Sequence, residues 1–256
     1  ADAPNKGMIS VDWLLPENAN PELTMALNIL ETAILGKSGS PLRKALIDSG
    51  LGEDLANTGM STGLRQMTFS VGMKGINPAD AGKVEQLILD TLQSLADEGI
   101  DPQAVEAAIN STEFALRELN TGGFPRGLAL SIGAVTRWLH GRDPLESLAF
   151  SKPLAAVKAR LQSEDGVLEN LIREHLLENL HRSTLVMQPD ADIKAQREAE
   201  EQAKLAEAQA AMSEDDLRAV MDAQQKLAEM QNTPDTPEDL AKIPSLGLDD
   251  LEKTVR

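Results

Sequence analysis

The stretch Gln66-Met67-Thr68-Phe69-Ser70-Val71-Gly72-Met73-Lys74 alternates with a period of two. Met67, Phe69, Val71 and Met73 fall on one face, while Thr68, Ser70 and Gly72 fall on the other. Side chains of an extended chain point to opposite sides in turn, so this pattern predicts a strand with one buried face. Upstream, Met8 to Leu15 alternates in the same way, with Ile9, Val11 and Trp13 together, and Pro16 is expected to end it. Between these strands the period changes. Asn20-Pro21 opens a helix with Leu23, Leu27, Leu30 and Ile34 on one face and Gly36 behind it. A second, short helix is punctuated at both ends: Ser40 is expected to cap it through its hydroxyl, Pro41 suits its first position, and Gly50 suits a left-handed stop.

Downstream, Asn77-Pro78 and Asp101-Pro102 are matching helix starts. The first helix carries Val84, Leu87, Ile88, Leu92 and Leu95 before Gly99, and the second runs to about Leu119. Asn120 to Gly127 holds three glycines and a proline and reads as a turn, after which Leu128, Ile132, Val135 and Leu139 resume the helical period. Helices are predicted over about Lys152–Leu161 and Glu164–Asn179, and Ser183–Met187 reads as a closing strand. The expected fold class is therefore α+β: a helix-rich domain over residues 1–189 with a small antiparallel or mixed sheet. Residues 190–233 predict an acidic helical hairpin, with Ser213 and Asp216 placed as a capping box, and residues 234–256 predict an extended tail containing Pro234, Pro237 and Pro244.

Composition narrows the function. The 256 residues carry a net charge of −17 and only 2% aromatic residues, with no tyrosine. Such a field repels phosphate backbones and anionic lipid, and few rings remain for base stacking, so neither nucleic acid nor membrane is an expected partner. Cationic peptides are the partners it attracts. Residues 190–256 are the most acidic part, with 17 Asp and Glu against 8 Lys and Arg. No cysteine is present, which removes thiol nucleophiles and thiolate metal sites.

Chemistry-bearing motifs are sparse. The histidines are His140, His175 and His181, read here as exposed or capping residues. His175-Leu176-Leu177-Glu178-Asn179 falls one residue short of the H-x-x-E-H zinc motif, with asparagine in place of the second ligand. Ser49 lacks the G-x-S-x-G surround of a hydrolase nucleophile, and Gly72-Met73-Lys74-Gly75 is too short for a phosphate loop. Phe124-Pro125-Arg126 and Arg142-Asp143-Pro144 read as turns. The residues alone name no catalytic, cofactor-binding or metal-binding position.

Taken in order, several blocks resemble one family. They are Val11-Asp12-Trp13-Leu14-Leu15, Ser40 through Gly52, Phe69 through Gly75 with Leu95-Ala96-Asp97-Glu98-Gly99, and Asn120 to Leu128 with Asp143-Pro144. His181-Arg182, Met187-Gln188-Pro189-Asp190 and Pro244-Ser245-Leu246 extend the likeness. The chain resembles the central, family-specific region of the presequence protease group of pitrilysin/insulinase-type zinc metallopeptidases. That resemblance implies most of a second, non-catalytic α/β domain followed by a helical hairpin that joins two halves of a peptide-degrading chamber. The zinc and its H-x-x-E-H motif then belong to a domain this chain does not contain, and the remaining domains of the parent protease and unstructured, basic peptides are the implied partners. The implied compartment is cytoplasmic for a bacterial source and an organelle interior, mitochondrion or plastid, for a eukaryotic one. Two other readings stay open at this point: an inactive partner subunit of a two-chain peptidase, and a stand-alone acidic scaffold. Faces that would pack on absent domains are expected to show as exposed apolar patches.

Overall fold

The computed structural model describes residues 5–244 and Gly247. The chain divides into two compact units, residues 1–189 and 190–256. The first unit opens with β1 (Gly7–Glu17), α1 (Pro21–Ile34) and α2 (Pro41–Asp48). The hairpin β2 (Asp54–Ser61) and β3 (Gln66–Ile76) follows, then α3 (Ala81–Glu98), α4 (Pro102–Glu118) and α5 (Arg126–Trp138). It closes with α6 (Ser151–Ser163), α7 (Val167–Ile172), a wide π-type turn over Arg173–Leu177, and β4 (Arg182–Met187).

The sheet order is β2-β3-β1-β4, and every neighbouring pair is antiparallel. Its inward row is the one the alternation predicts: Ile9, Val11, Trp13, Met67, Val71 and Met73 are fully buried. Helices α1, α3 and α7 contribute Ile29, Ile34, Ile88, Leu92 and Ile172 to the same core. The opposite face is polar, so one side of the sheet is covered and the other is not.

Gly72 sits where β3 is flanked by β1 and β2, paired with Ser10 on one side and Ala56 on the other. A Cβ there would collide with the Ile9 carbonyl oxygen and would lie 2.6 Å from that of Ala56. Only glycine lets three strands close at this point.

Four local details differ from or refine the sequence expectation. β1 runs past Pro16 to Glu17, with its register against β3 broken between Leu14 and Glu17, because proline has no N–H for the ladder. β2 has no counterpart in the sequence reading: its register shifts between Ala56 and Gly59, Asn57 adopts a left-handed φ of 48°, and only Leu55 of the strand is buried, so no period survives in the sequence. Ser40 does not cap α2 through its hydroxyl. It is buried, its Oγ accepts the Lys37 N–H at 3.1 Å and donates to the Thr32 carbonyl, tying the end of α1 to the start of α2. Gly50 does take the left-handed φ, at 66°.

The second unit is α8 (Ile193–Ala211), α9 (Glu214–Asn232) and the single turn α10 (Pro237–Leu240). Ser213 and Asp216 form the reciprocal capping box at the start of α9. Neither long helix has a buried residue. The extended tail expected over 234–256 is interrupted by α10, because Thr236 accepts the Asp239 N–H and Pro237 sits in the first turn, where its missing donor costs nothing. Ser245, Leu246 and residues 248–256 lie outside the described residues.

Trp13 links the sheet to the far end of the first unit. Its indole N–H donates to the Leu176 carbonyl at 2.7 Å, inside the π-type turn, and the side chain is fully buried with its ring 5.8 Å from that of Phe69. Trp13→Phe keeps the apolar bulk and strands that carbonyl in the core. Urea unfolding is expected to show a loss of about 2 kcal/mol, within the range for a buried polar group without a partner.

Candidate functional site

The near-miss zinc motif occupies the π-type turn. The Glu178 N–H reaches back five residues to the Arg173 carbonyl at 2.8 Å, so the turn is wider than an α-helix. The sequence reading has His175 exposed or capping; the structure corrects this, since the residue is buried within that turn. His181 is exposed and His140 half-buried. The carboxylate nearest His175 among the ion pairs is that of its neighbour Glu174, at 3.9 Å.

Asn179 stands where the motif would need its second histidine, and its side chain is committed elsewhere. Its Nδ2 donates to the Leu14 carbonyl at 2.9 Å and to the His175 carbonyl at 3.0 Å, while its Oδ1 accepts the His181 N–H at 2.9 Å. Asn179 therefore braces β1 against the approach to β4. Among the described residues no group of three or more His, Cys, Asp and Glu could hold a metal ion. The donor set does not fit zinc, which needs three protein ligands and an open position in a catalytic site.

A second cluster lies on the polar face of the sheet. One oxygen of Asp12 accepts hydrogen bonds from Ser10 Oγ at 3.0 Å, Ser70 Oγ at 2.6 Å and Asn57 Nδ2 at 3.0 Å. Asn57 also donates to Ser10 Oγ at 2.7 Å. The bulge in β2 turns Asn57 toward β1, and Gly72 leaves the lane across β3 free of a side chain. No histidine takes part, so both serine hydroxyls donate to a carboxylate with no base to carry a proton onward; the group ties three strands together and does not activate a nucleophile.

One carboxylate is perturbed in isolation. Glu31, half-buried on α1, is held above the usual glutamate range by burial, against a smaller opposing effect of the Thr32 hydroxyl. It faces the bulge: a Cβ on Gly59 would lie 3.3 Å from its Oε1. A lone shifted carboxylate without an acid or base partner is structural chemistry.

Residues 1–112 match the family described as "Peptidase M16 inactive domain", and residues 187–256 match the model of the associated region found in subfamily C of the same peptidases. The chain belongs to the M16 peptidase family. It is 45% identical over 255 residues to "Presequence protease 1, chloroplastic/mitochondrial" of Arabidopsis thaliana, covering 98% of this chain and 24% of that protein. It is 32% identical to "Protein HypA" of Clostridium perfringens, covering 98% of this chain and 26% of that protein. The chain thus spans about a quarter of the length of the curated relatives it matches. The crystal structure of the inactive peptidase domain of a putative zinc protease from Bordetella parapertussis superposes with a TM-score of 0.55 at 17% identity, over 73% of this chain and 92% of that one, which shows the shared fold. The M16 assignment explains why a chain that resembles a zinc peptidase holds no zinc-binding set among its described residues: the matched domain is the inactive one.

The pH dependence of Glu31 follows from its direction of shift. Its folded pKa lies above the unfolded one, so the folded state holds the proton longer and the residue costs stability once pH rises through the folded value. Glu31→Gln is expected to raise the urea midpoint at pH 7 and to lose that advantage as pH falls below the unfolded pKa, near 4.3. An equal gain at both pH values would show that burial of the charge is not the cause.

Proposed function

We propose that this chain is the non-catalytic wall and hinge segment of a zinc metalloendopeptidase that degrades short unstructured peptides, targeting presequences among them. The observation that supports this most is the pairing of an M16 inactive-domain match with a near-miss zinc motif whose replacement residue, Asn179, is spent on bracing the sheet. An asparagine satisfied on both its carbonyl and its amide is a structural member.

The stand-alone scaffold reading is disfavoured by the continuous match of 98% of the chain to a quarter of a longer peptidase. In the proposed assembly the first unit supplies one wall, α8 and α9 supply the hinge between halves, and the zinc with its general base comes from other parts of the polypeptide. The net charge of −17 attracts basic peptides toward such a wall. A mitochondrial or plastid interior is the compartment for a eukaryotic source, since the relatives carry those locations in their names, and the cytoplasm is the compartment for a bacterial one.

A quenched fluorescent peptide with no stable structure tests the proposal. The 256-residue chain with added zinc is expected to leave it intact, whereas the longer polypeptide that contains this segment cleaves it and stops on addition of a chelator. Zinc-dependent cleavage by the 256-residue chain alone would overturn the reading.

A further inference from the structure

A groove of about 490 Å3 lies between α4 and the α6–α7 connection, away from both the π-type turn and the Asp12 cluster. Its floor is apolar, made by Val105 and Ile109 of α4, Leu161 of α6 and Val167 of α7. Its rim is acidic: Glu106 on one side, and Glu164, Asp165 and Glu169 on the other.

The charge at this rim is not balanced from within. Among the described residues Lys158 is the one basic side chain lining the groove, and it is paired to Glu113, which also takes Arg117 at 2.6 Å. Glu164 holds Arg160 at 2.9 Å, and Glu169 accepts the Ile100 N–H at 3.0 Å. Glu106 and Asp165 make no ion pair among the described residues and are exposed. A cleft with an apolar floor and two unbalanced carboxylates on opposite rims matches a ligand that carries an alkyl or leucine-like group flanked by cations. Its volume takes a few side chains and excludes a folded domain, since binding clefts of about 300–1,000 Å3 hold ligands of that size.

We propose that this groove docks a basic amphipathic peptide segment, with an apolar side chain on Val105, Ile109 and Leu161 and arginine or lysine against Glu106 and Asp165. The proposal rests on the peptidase reading only in taking a peptide, not another polycation, as the occupant. It adds a capture site outside any zinc chemistry.

Fluorescence anisotropy on the 256-residue chain tests it, using a labelled peptide of about four helical turns with arginine and leucine on one face. Glu106→Gln with Asp165→Asn is expected to weaken binding about tenfold at low salt, and to leave the far-ultraviolet dichroism and thermal midpoint unchanged. Glu200→Gln with Glu201→Gln, which removes the same charge from α8, is expected to change binding less than about twofold. Replacing the peptide's leucines by serine should also weaken it. Equal loss in both double variants, or none in the first, would overturn the proposal, as would spermine competing as well as the peptide with no effect of the leucines. Any of those failures leaves peptide cleavage by the longer polypeptide unaffected, so the two proposals fall separately.

Discussion

The hydrogen bond from the Trp13 indole to the Leu176 carbonyl joins two residues 163 positions apart, and much of the first unit is arranged around it. β1 is hydrogen-bonded on both sides, to β3 and to β4, and Ile9, Val11 and Trp13 on its inner row are fully buried. Burying each such side chain contributes about 1.5–3 kcal/mol, while the indole N–H must still find an acceptor in a dry core. The π-type turn supplies it. Arg173 in that turn also reaches the Ala96 carbonyl and Asp97 at the end of α3, so sheet, α3 and the last helical segment are held at one junction.

That junction also settles the fate of the zinc-like motif. His175-Leu176-Leu177-Glu178-Asn179 is spent on structure: Leu176 accepts from Trp13, the Glu178 N–H closes the turn, and Asn179 binds Leu14 and His181. A metal site needs side chains aimed into an open position, and here the backbone and amide groups face the core and the neighbouring strands instead. The inactive-domain match and the local geometry therefore agree for one physical reason. The same polypeptide stretch cannot both brace the sheet through Asn179 and offer a ligand there.

The sheet and the long helices were legible because burial imposes a period. The alternation over Gln66–Lys74 and Met8–Leu15 reappears as β3 and β1, and Asn20, Asp101 and Ser213 cap where their side chains predict. What escaped depends on distant partners. β2 is bulged at Asn57 and mostly exposed, so nothing in its sequence repeats, and the strand exists because β3 offers an edge to pair with. Ser40 reads as a cap locally but is drawn to Thr32 and Lys37 by the packing of α1 on α2. The burial of His175 follows from the indole bond to its neighbour Leu176, and the groove between α4 and α6 needs two helices whose contact no linear pattern announces.

The central claim is that this chain carries architecture and leaves the metal chemistry to other residues. Zinc content measured by mass spectrometry after dialysis tests that most directly, on this chain and on the longer polypeptide containing it. The account predicts less than about 0.1 equivalent on the 256-residue chain and close to one equivalent on the longer protein. A full equivalent on the chain itself, lost on His175→Ala, would contradict it.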